Sequence, residues 1–333
     1  MLAERPDTVV IPEHPTGKQR DLVSRIELSG RIPAVDVVVP TRDRPELLRR
    51  TVSGILGQNY SGRLRILVVY DQAEPDESLA DEAPEGMIVI IRNTRSPGLA
   101  GARNSGILAA DADLIAFCDD DDVWLPGKLI AQVDALVAND DAVLACCGIR
   151  VQYGDETVDR RLPQHEVVLP DLLASRLMEL HPSTFLMRRD AVVDGFGLVA
   201  EDIPGSYAED YELLLRAAKH GRILNVDTIG AEILWHQRSY FTARWDTIIA
   251  ALTWLMQRYP EFRQVPRGLA RIDGQLAFAW AAKGQRRTAA RWAGRTLRAN
   301  PRELRGYLAL IVASGAISAD RVLRHLHRHG KGI

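Results

Sequence analysis

The sequence has little cysteine, no long apolar run and almost no net charge, and each shortage excludes a class of protein. Three cysteines in 333 residues are too few for a disulfide framework. Cys146 and Cys147 are adjacent, without the spacing of a zinc site, and they follow the apolar stretch Ala142-Val143-Leu144-Ala145. Together with Cys118 they read as reduced core thiols of a cytoplasmic protein. No apolar stretch reaches the roughly 20 residues of a membrane-spanning helix. The longest, residues 307–317, falls well short. Met1-Leu2-Ala3-Glu4-Arg5-Pro6 lacks the charged and apolar regions of a signal peptide. A net charge of −2 gives no reason to expect a nucleic-acid partner.

What is present is an alternation of strands and helices. Residues 1–34 are polar, proline-containing and weakly periodic, and read as an N-terminal extension. Apolar, β-branched runs predict strands at 35–39, 64–70, 87–92, 114–118, 143–151, 183–188, 222–226 and 229–235. The run at 143–151 suits an antiparallel portion of the sheet. Helical periodicity covers 46–56, a segment ending at Ala110, 129–137, 168–180 and 209–220. Asp43 is placed as the N-cap of the first of these, with Pro45 in its first turn. Such alternation predicts an α/β fold, a mostly parallel sheet flanked by helices, over residues 35–240. Residues 241–333 read as a C-terminal α-helical region, with helices at 245–258, 269–283, 286–299 and 302–314 and a short final one. From Arg286 onward this region is basic. A solvated face, a homodimer and peripheral contact with the anionic inner membrane face are all open to it.

The chemistry concentrates after the strand at 114–118, where Asp119, Asp120, Asp121 and Asp122 follow in succession. Open α/β sheets place ligands at the C-terminal ends of their strands. In a continuing strand, residues two apart share a side, which would put Asp119 with Asp121. Two carboxylates about 6.5 Å apart repel by roughly 2–3 kcal/mol at an effective dielectric near 20. A divalent cation with oxygen ligands offsets that repulsion.

Three motifs carry a resemblance. Asp36-Val37-Val38-Val39-Pro40-Thr41-Arg42-Asp43-Arg44 resembles the opening strand and nucleotide loop of family 2 glycosyltransferases. Ala102-Arg103-Asn104-Ser105-Gly106-Ile107, followed by 114–126 with its aspartates and Trp124-Leu125-Pro126, is similar to that family's most specific stretch. Glu209-Asp210-Tyr211-Glu212-Leu213 resembles its acidic helix start. The resemblance implies a GT-A fold, a nucleoside-diphosphate sugar as donor and inverting transfer to a hydroxyl acceptor. That acceptor is a polysaccharide, a glycolipid or a small-molecule glycoside.

By that resemblance Pro40, Thr41 and Arg42 line the nucleotide, with Arg42 or Arg44 toward phosphate. Asp71 accepts a proton from the base. The family's two acids followed by Gly-Ser are here Tyr70-Asp71-Gln72-Ala73. Arg103 contacts base or phosphate, and Asp119 or Asp120 holds the ribose. Asp121 and His236 bind Mn²⁺ or Mg²⁺, and Asp122 caps the next turn. Asp210 is the general base for the acceptor. His181-Pro182-Ser183-Thr184 and Arg188-Arg189 shape the acceptor side. Gly205-Ser206-Tyr207 reads as a lid. Two other readings stay open. A sugar-phosphate nucleotidyltransferase needs a glycine-rich loop after the first strand, and 40–44 has no glycine. A catalytically silent scaffold that binds a nucleotide sugar is the other.

Overall fold

Strand β1 (Val35–Thr41) is buried along its whole length and forms the spine of the molecule. A computed structural model describes residues 31–154, 156–234 and 244–328. The alternation in β1 divides the core. Val35, Val37 and Val39 pack on one face with Leu48, Val52 and Ile55 of α1 (Pro45–Leu56). Val38 packs on the other with Ala102 and Ile107 of α2 (Leu99–Ala109). Removing such a side chain from water stabilises the fold by about 1.5–3 kcal/mol. Approach of α2 to β1 depends on Gly106, where a Cβ would stand 2.3 Å from Val38 Cγ1. Asp36, fully buried, takes two hydrogen bonds from Arg65 and two more from the backbone amides of Asp111 and Ala112.

The remaining strands are β2 (Leu64–Tyr70), β3 (Ile88–Arg92), β4 (Leu114–Phe117), β5 (Val123–Trp124), β6 (Ala142–Tyr153), β7 (Glu156–Arg160), β8 (Glu166–Val167), β9 (Leu186–Arg188) and β10 (Arg222–Leu234). Their order is β3-β2-β1-β4-β9-β6-β10-β5, with β7 on β6 and β8 on β10. The first four pair in parallel, and β9 turns the sheet antiparallel. The segment at 143–151 was expected in an antiparallel portion. It pairs antiparallel with β7 and β9 but parallel with β10. The helices α3 (Lys128–Val137), α4 (Leu169–Ala174) and α5 (Glu209–His220) complete the α/β part.

Several expectations shift, each for a local reason. The helix expected at 168–180 stops after α4, where Ser175 is extended at φ −148° and ψ 151°, and Leu177 beyond it takes a left-handed φ of 45°. The strand expected at 183–188 begins as a 3₁₀ turn, Pro182–Thr184, in which Thr184 Oγ1 donates to the His181 carbonyl. The two segments expected from 222 and from 229 merge into one strand, β10, which runs to Leu234 with register shifts between Val226 and Ile229. Asp43 does not cap α1. It is left-handed at φ 54°, and the cap position belongs to Arg44.

Five helices follow: α6 (Trp245–Arg258), α7 (Pro266–Ala282), α8 (Arg286–Ala299), α9 (Leu304–Ser314) and α10 (Ala319–Arg328). They are fixed to the α/β part through α7. A Cβ on Gly268 would fall 1.8 Å from the Leu173 carbonyl oxygen, so only glycine allows that contact. Arg271 donates to the Tyr211 hydroxyl at 3.0 Å. All three cysteines are buried and unpaired. Among the described residues no helix is long and apolar enough to cross a membrane.

Candidate active site

The aspartates do not continue β4. The strand ends at Phe117, and a turn closes when the Asp122 amide donates to the Asp119 carbonyl at 3.1 Å. The turn therefore brings Asp119 beside Asp122, not beside Asp121 as an extended strand would. Thr51 of α1 donates to the Asp122 carbonyl at 2.7 Å and anchors the turn from below. Ser183 anchors it from the side: its hydroxyl accepts from the Asp119 amide and donates to the Asp122 carboxylate. His181 Nδ1 lies 3.3 Å from the same carboxylate. Asp119, Asp122 and His181 thus present ligand atoms within 4.8 Å of one another. Asp122, expected to cap the following turn, is instead buried against Ser183 and His181.

The loop after β1 is stapled to this turn. Asp120 accepts from Thr41 Oγ1 at 2.8 Å, from the Arg42 amide at 3.4 Å and from Arg44 at 3.2 Å. Arg44 also reaches Asp121 at 2.8 Å. Asp120, placed by the resemblance at the ribose, is almost fully buried in these bonds. Asp121, placed as a metal ligand, is paired with Arg44, while the Arg42 side chain is exposed and leans toward Asp43. Pro40 lies buried near the end of β1. Asp71 directly follows β2, where its carboxylate accepts from Asn93, Gln72 and the Gly98 amide. It thereby ties the loop before α2 to the C-terminal end of β2.

Arg103 is the residue that the resemblance sets against base or phosphate. Its side chain is 1% exposed, and its two terminal nitrogens are spent on protein carboxylates. One donates to Asp119 at 2.7 Å and the other to Glu209 at 2.6 Å. It lies beneath the acidic turn and over the Phe117 ring. Asn104, next to it, holds the 199–201 loop through Val199 and Glu201.

Asp210 stands in the first turn of α5, where a carboxylate favourably faces the helix dipole. Arg176 donates to both of its oxygens, at 2.9 and 3.0 Å. Nothing in the sequence pattern marked Arg176, which lies in irregular chain after α4. His181 was marked only for the acceptor side, and the fold brings it to the turn. Ser206 and Ala208, just before the helix, both take left-handed φ values. His236 lies outside the described residues.

The electrostatics follow from crowding. Burial pushes Asp120 up to about 6; repulsion from Asp121 and Asp119 adds to it, against Thr41 and Arg44. Burial also raises Asp122, with Asp119 and Asp121 adding repulsion. Glu209 is pushed up to about 7 by burial, although Arg103 opposes it. Burial acts to raise Asp210 too, but Arg176 and Arg103 overcome it and hold that carboxylate below its ordinary value. Burial lowers His181, keeping the imidazole in the neutral form that ligates metals. A turn of four carboxylates beside a neutral imidazole fits a divalent cation, and the mixed oxygen and nitrogen set suits Mn²⁺ as well as Mg²⁺.

The glycosyl transferase family 2 model matches residues 36–196. A β-1,3-glucosyltransferase of Escherichia coli, WfgD, is 26% identical over 190 residues, covering 57% of this chain and 71% of the relative. The succinoglycan biosynthesis protein ExoW of Rhizobium meliloti is 30% identical over 176 residues, covering 46% of this chain and 54% of the relative. Among solved structures, TarS of S. aureus with UDP-GlcNAc aligns at TM-score 0.55 and 16% identity, over 90% of this chain and 92% of that one. The mannosyltransferase PcManGT of Pyrobaculum calidifontis, with GDP-Man and Mn²⁺, aligns at TM-score 0.56 and 16% identity, over 93% of this chain and 91% of that one. At that identity the two structures carry the fold, which is GT-A.

Proposed function

This chain belongs to glycosyl transferase family 2, and from that premise we propose metal-dependent, inverting transfer of a sugar from a nucleoside diphosphate to a hydroxyl acceptor. The observation that carries the reading is the buried Arg103 bridge. It joins Asp119 of the acidic turn to Glu209, the neighbour of Asp210, across 90 residues of chain. The end that handles the diphosphate and the end that handles the acceptor are thereby parts of one rigid site.

In this reading Asp119, Asp121, Asp122 and His181 are the residues that hold a cation, with His236 a further candidate. The bound cation would supply positive charge to the departing diphosphate. Arg44, on Asp121 at 2.8 Å, serves the phosphates alongside Arg42. Thr41 and Pro40 floor the nucleotide, and Asp71 accepts from its base. Asp210 takes the acceptor proton as the hydroxyl oxygen bonds to the anomeric carbon and the bond to the diphosphate breaks. Its pKa lies low, so it is ionised at neutral pH and takes the proton late, when the hydroxyl has become acidic. Arg176 keeps it ionised and aimed.

Relatives and neighbours carry UDP-Glc, UDP-GlcNAc and GDP-Man in their names, so a nucleoside-diphosphate sugar is the shared donor class. WfgD is named for a diphosphoundecaprenol-linked acceptor. We carry that class to this chain as the acceptor to try first: a lipid-linked sugar diphosphate. Nothing in the site favours the nucleotidyltransferase or the silent scaffold. The test is Asp210→Asn. Transfer falls by on the order of 10²–10⁴-fold, as for loss of a general base, while Mn²⁺-dependent binding of the donor persists. Turnover at the native rate would refute the assignment.

A further inference from the structure

We propose that the outer face of the α8–α9 hairpin docks on an anionic lipid bilayer. Helix α9 buries Gly306, Ala309, Val312 and Ala313 against its neighbours. It leaves apolar side chains outside: Leu304 is 70% exposed, Tyr307 45% and Ile311 39%. Their spacing of three and four residues sets them in one line along the helix. Leu310, 39% exposed, widens that line. On α8 the exposed residues Arg287, Arg291 and Arg298 are spaced by four and seven, which also places them on one face.

Charge is segregated onto the same region. Between residues 283 and 328, eleven lysines and arginines stand against two acids, Glu303 and Asp320. The whole chain carries −2, so the remainder is acidic in net. Single exposed apolar residues are ordinary on a soluble protein. An apolar line beside a basic row is the pattern of a helix lying in a membrane interface. A bilayer bearing anionic headgroups answers both features at once, burying the line and neutralising the arginines. A second copy of the chain answers only one. An isologous contact through this face would set arginine against arginine. The docked face is coupled to the site, because α7 carries the hairpin and is fixed to α5 by Arg271 on Tyr211. Docking there would hold the helix that bears Asp210 at a set distance from the lipid.

The test needs neither donor nor acceptor, so it stands or falls apart from the transfer reaction. The full-length protein is sedimented with vesicles of phosphatidylcholine alone and with vesicles containing phosphatidylglycerol. Binding is expected to the second kind, weakened steeply by salt. Each basic residue at such a surface contributes about 1 kcal/mol, roughly fivefold in affinity. The triple variant Arg287→Glu, Arg291→Glu, Arg298→Glu should bind at least a hundredfold more weakly, and the triple Lys variant should retain binding. The pair Leu304→Glu, Ile311→Glu should also lose binding while its circular dichroism and melting stay native. Equal binding to both vesicle types, or native binding by the Glu variants, overturns the proposal. So does a stable dimer in light scattering that the Leu304→Glu, Ile311→Glu pair dissolves.

Discussion

Arg103→Met tests the organisation of the site most directly. The guanidinium is 1% exposed and is bonded to Asp119 and Glu209 at 2.7 and 2.6 Å. Removing one partner of a buried ion pair costs about 3–5 kcal/mol, because the remaining charge is left without compensation. That is a large part of the roughly 5–15 kcal/mol that holds a typical protein folded. The sign of its pH dependence is also set. Glu209 titrates at about 7 in the folded protein, above its ordinary 4.5, so folding binds its proton and stability falls as pH rises between those values. Above pH 7 the native protein stops losing stability through this group. In the variant the opposing pull of Arg103 is gone and the folded pKa moves higher. The loss then continues above pH 7 at about 1.4 kcal/mol per pH unit. Urea denaturation followed by tryptophan fluorescence at pH 6, 7 and 8.5 reads it. The deficit of the variant should widen with pH, and Glu209→Gln in the same background should abolish the widening. A deficit under about 1 kcal/mol, or one constant with pH, would refute the role given to the bridge.

Other perturbations separate the parts. Arg176→Ala removes the main group that lowers Asp210 against burial, so the acidic limb of the kcat/KM profile should move to higher pH; an unmoved limb denies that Asp210 is the base. Chelation with EDTA should remove transfer activity and the donor-induced rise in melting temperature, with Mn²⁺ restoring both. Asp121→Asn should need much more Mn²⁺ for the same rise; a donor effect indifferent to EDTA would end the metal reading. Gly106→Ala forces a Cβ to within 2.3 Å of Val38 and should lower stability by about 1–3 kcal/mol in the same urea assay, whereas a native midpoint would mean that α2 is not pressed against β1.

The strands around the site were legible because burial on both faces leaves runs such as 64–70 and 114–117 almost wholly apolar. Helix α5 was legible at both approximate ends: its apolar periodicity, acidic first turn and basic last turn agree. Failures came where a tertiary bond outweighs local preference. The 168–180 segment has helical periodicity, yet the chain leaves the helix after Ala174. Arg176 lies beyond that break, within reach of Asp210. The aspartates were read as a strand because the residues before them are one, but the bond from the Asp122 amide to the Asp119 carbonyl turns the chain.

A deeper asymmetry explains which half of the site was readable. Its acids are consecutive in the chain, Asp119 to Asp122 and Glu209 with Asp210, so any scan finds them. The cations that balance them are single residues, Arg44, Arg103 and Arg176, each on a different element. A lone arginine has no periodicity and no spacing, and only the fold reveals its partner. Yet in the proposed mechanism these three fix the chemistry. There Arg44 holds Asp121 beside the proposed cation, Arg103 locks the two ends together, and Arg176 keeps Asp210, the proposed base, ionised. The acids of such a site can be read from its sequence, but their protonation states depend on cations whose partners become identifiable only in space.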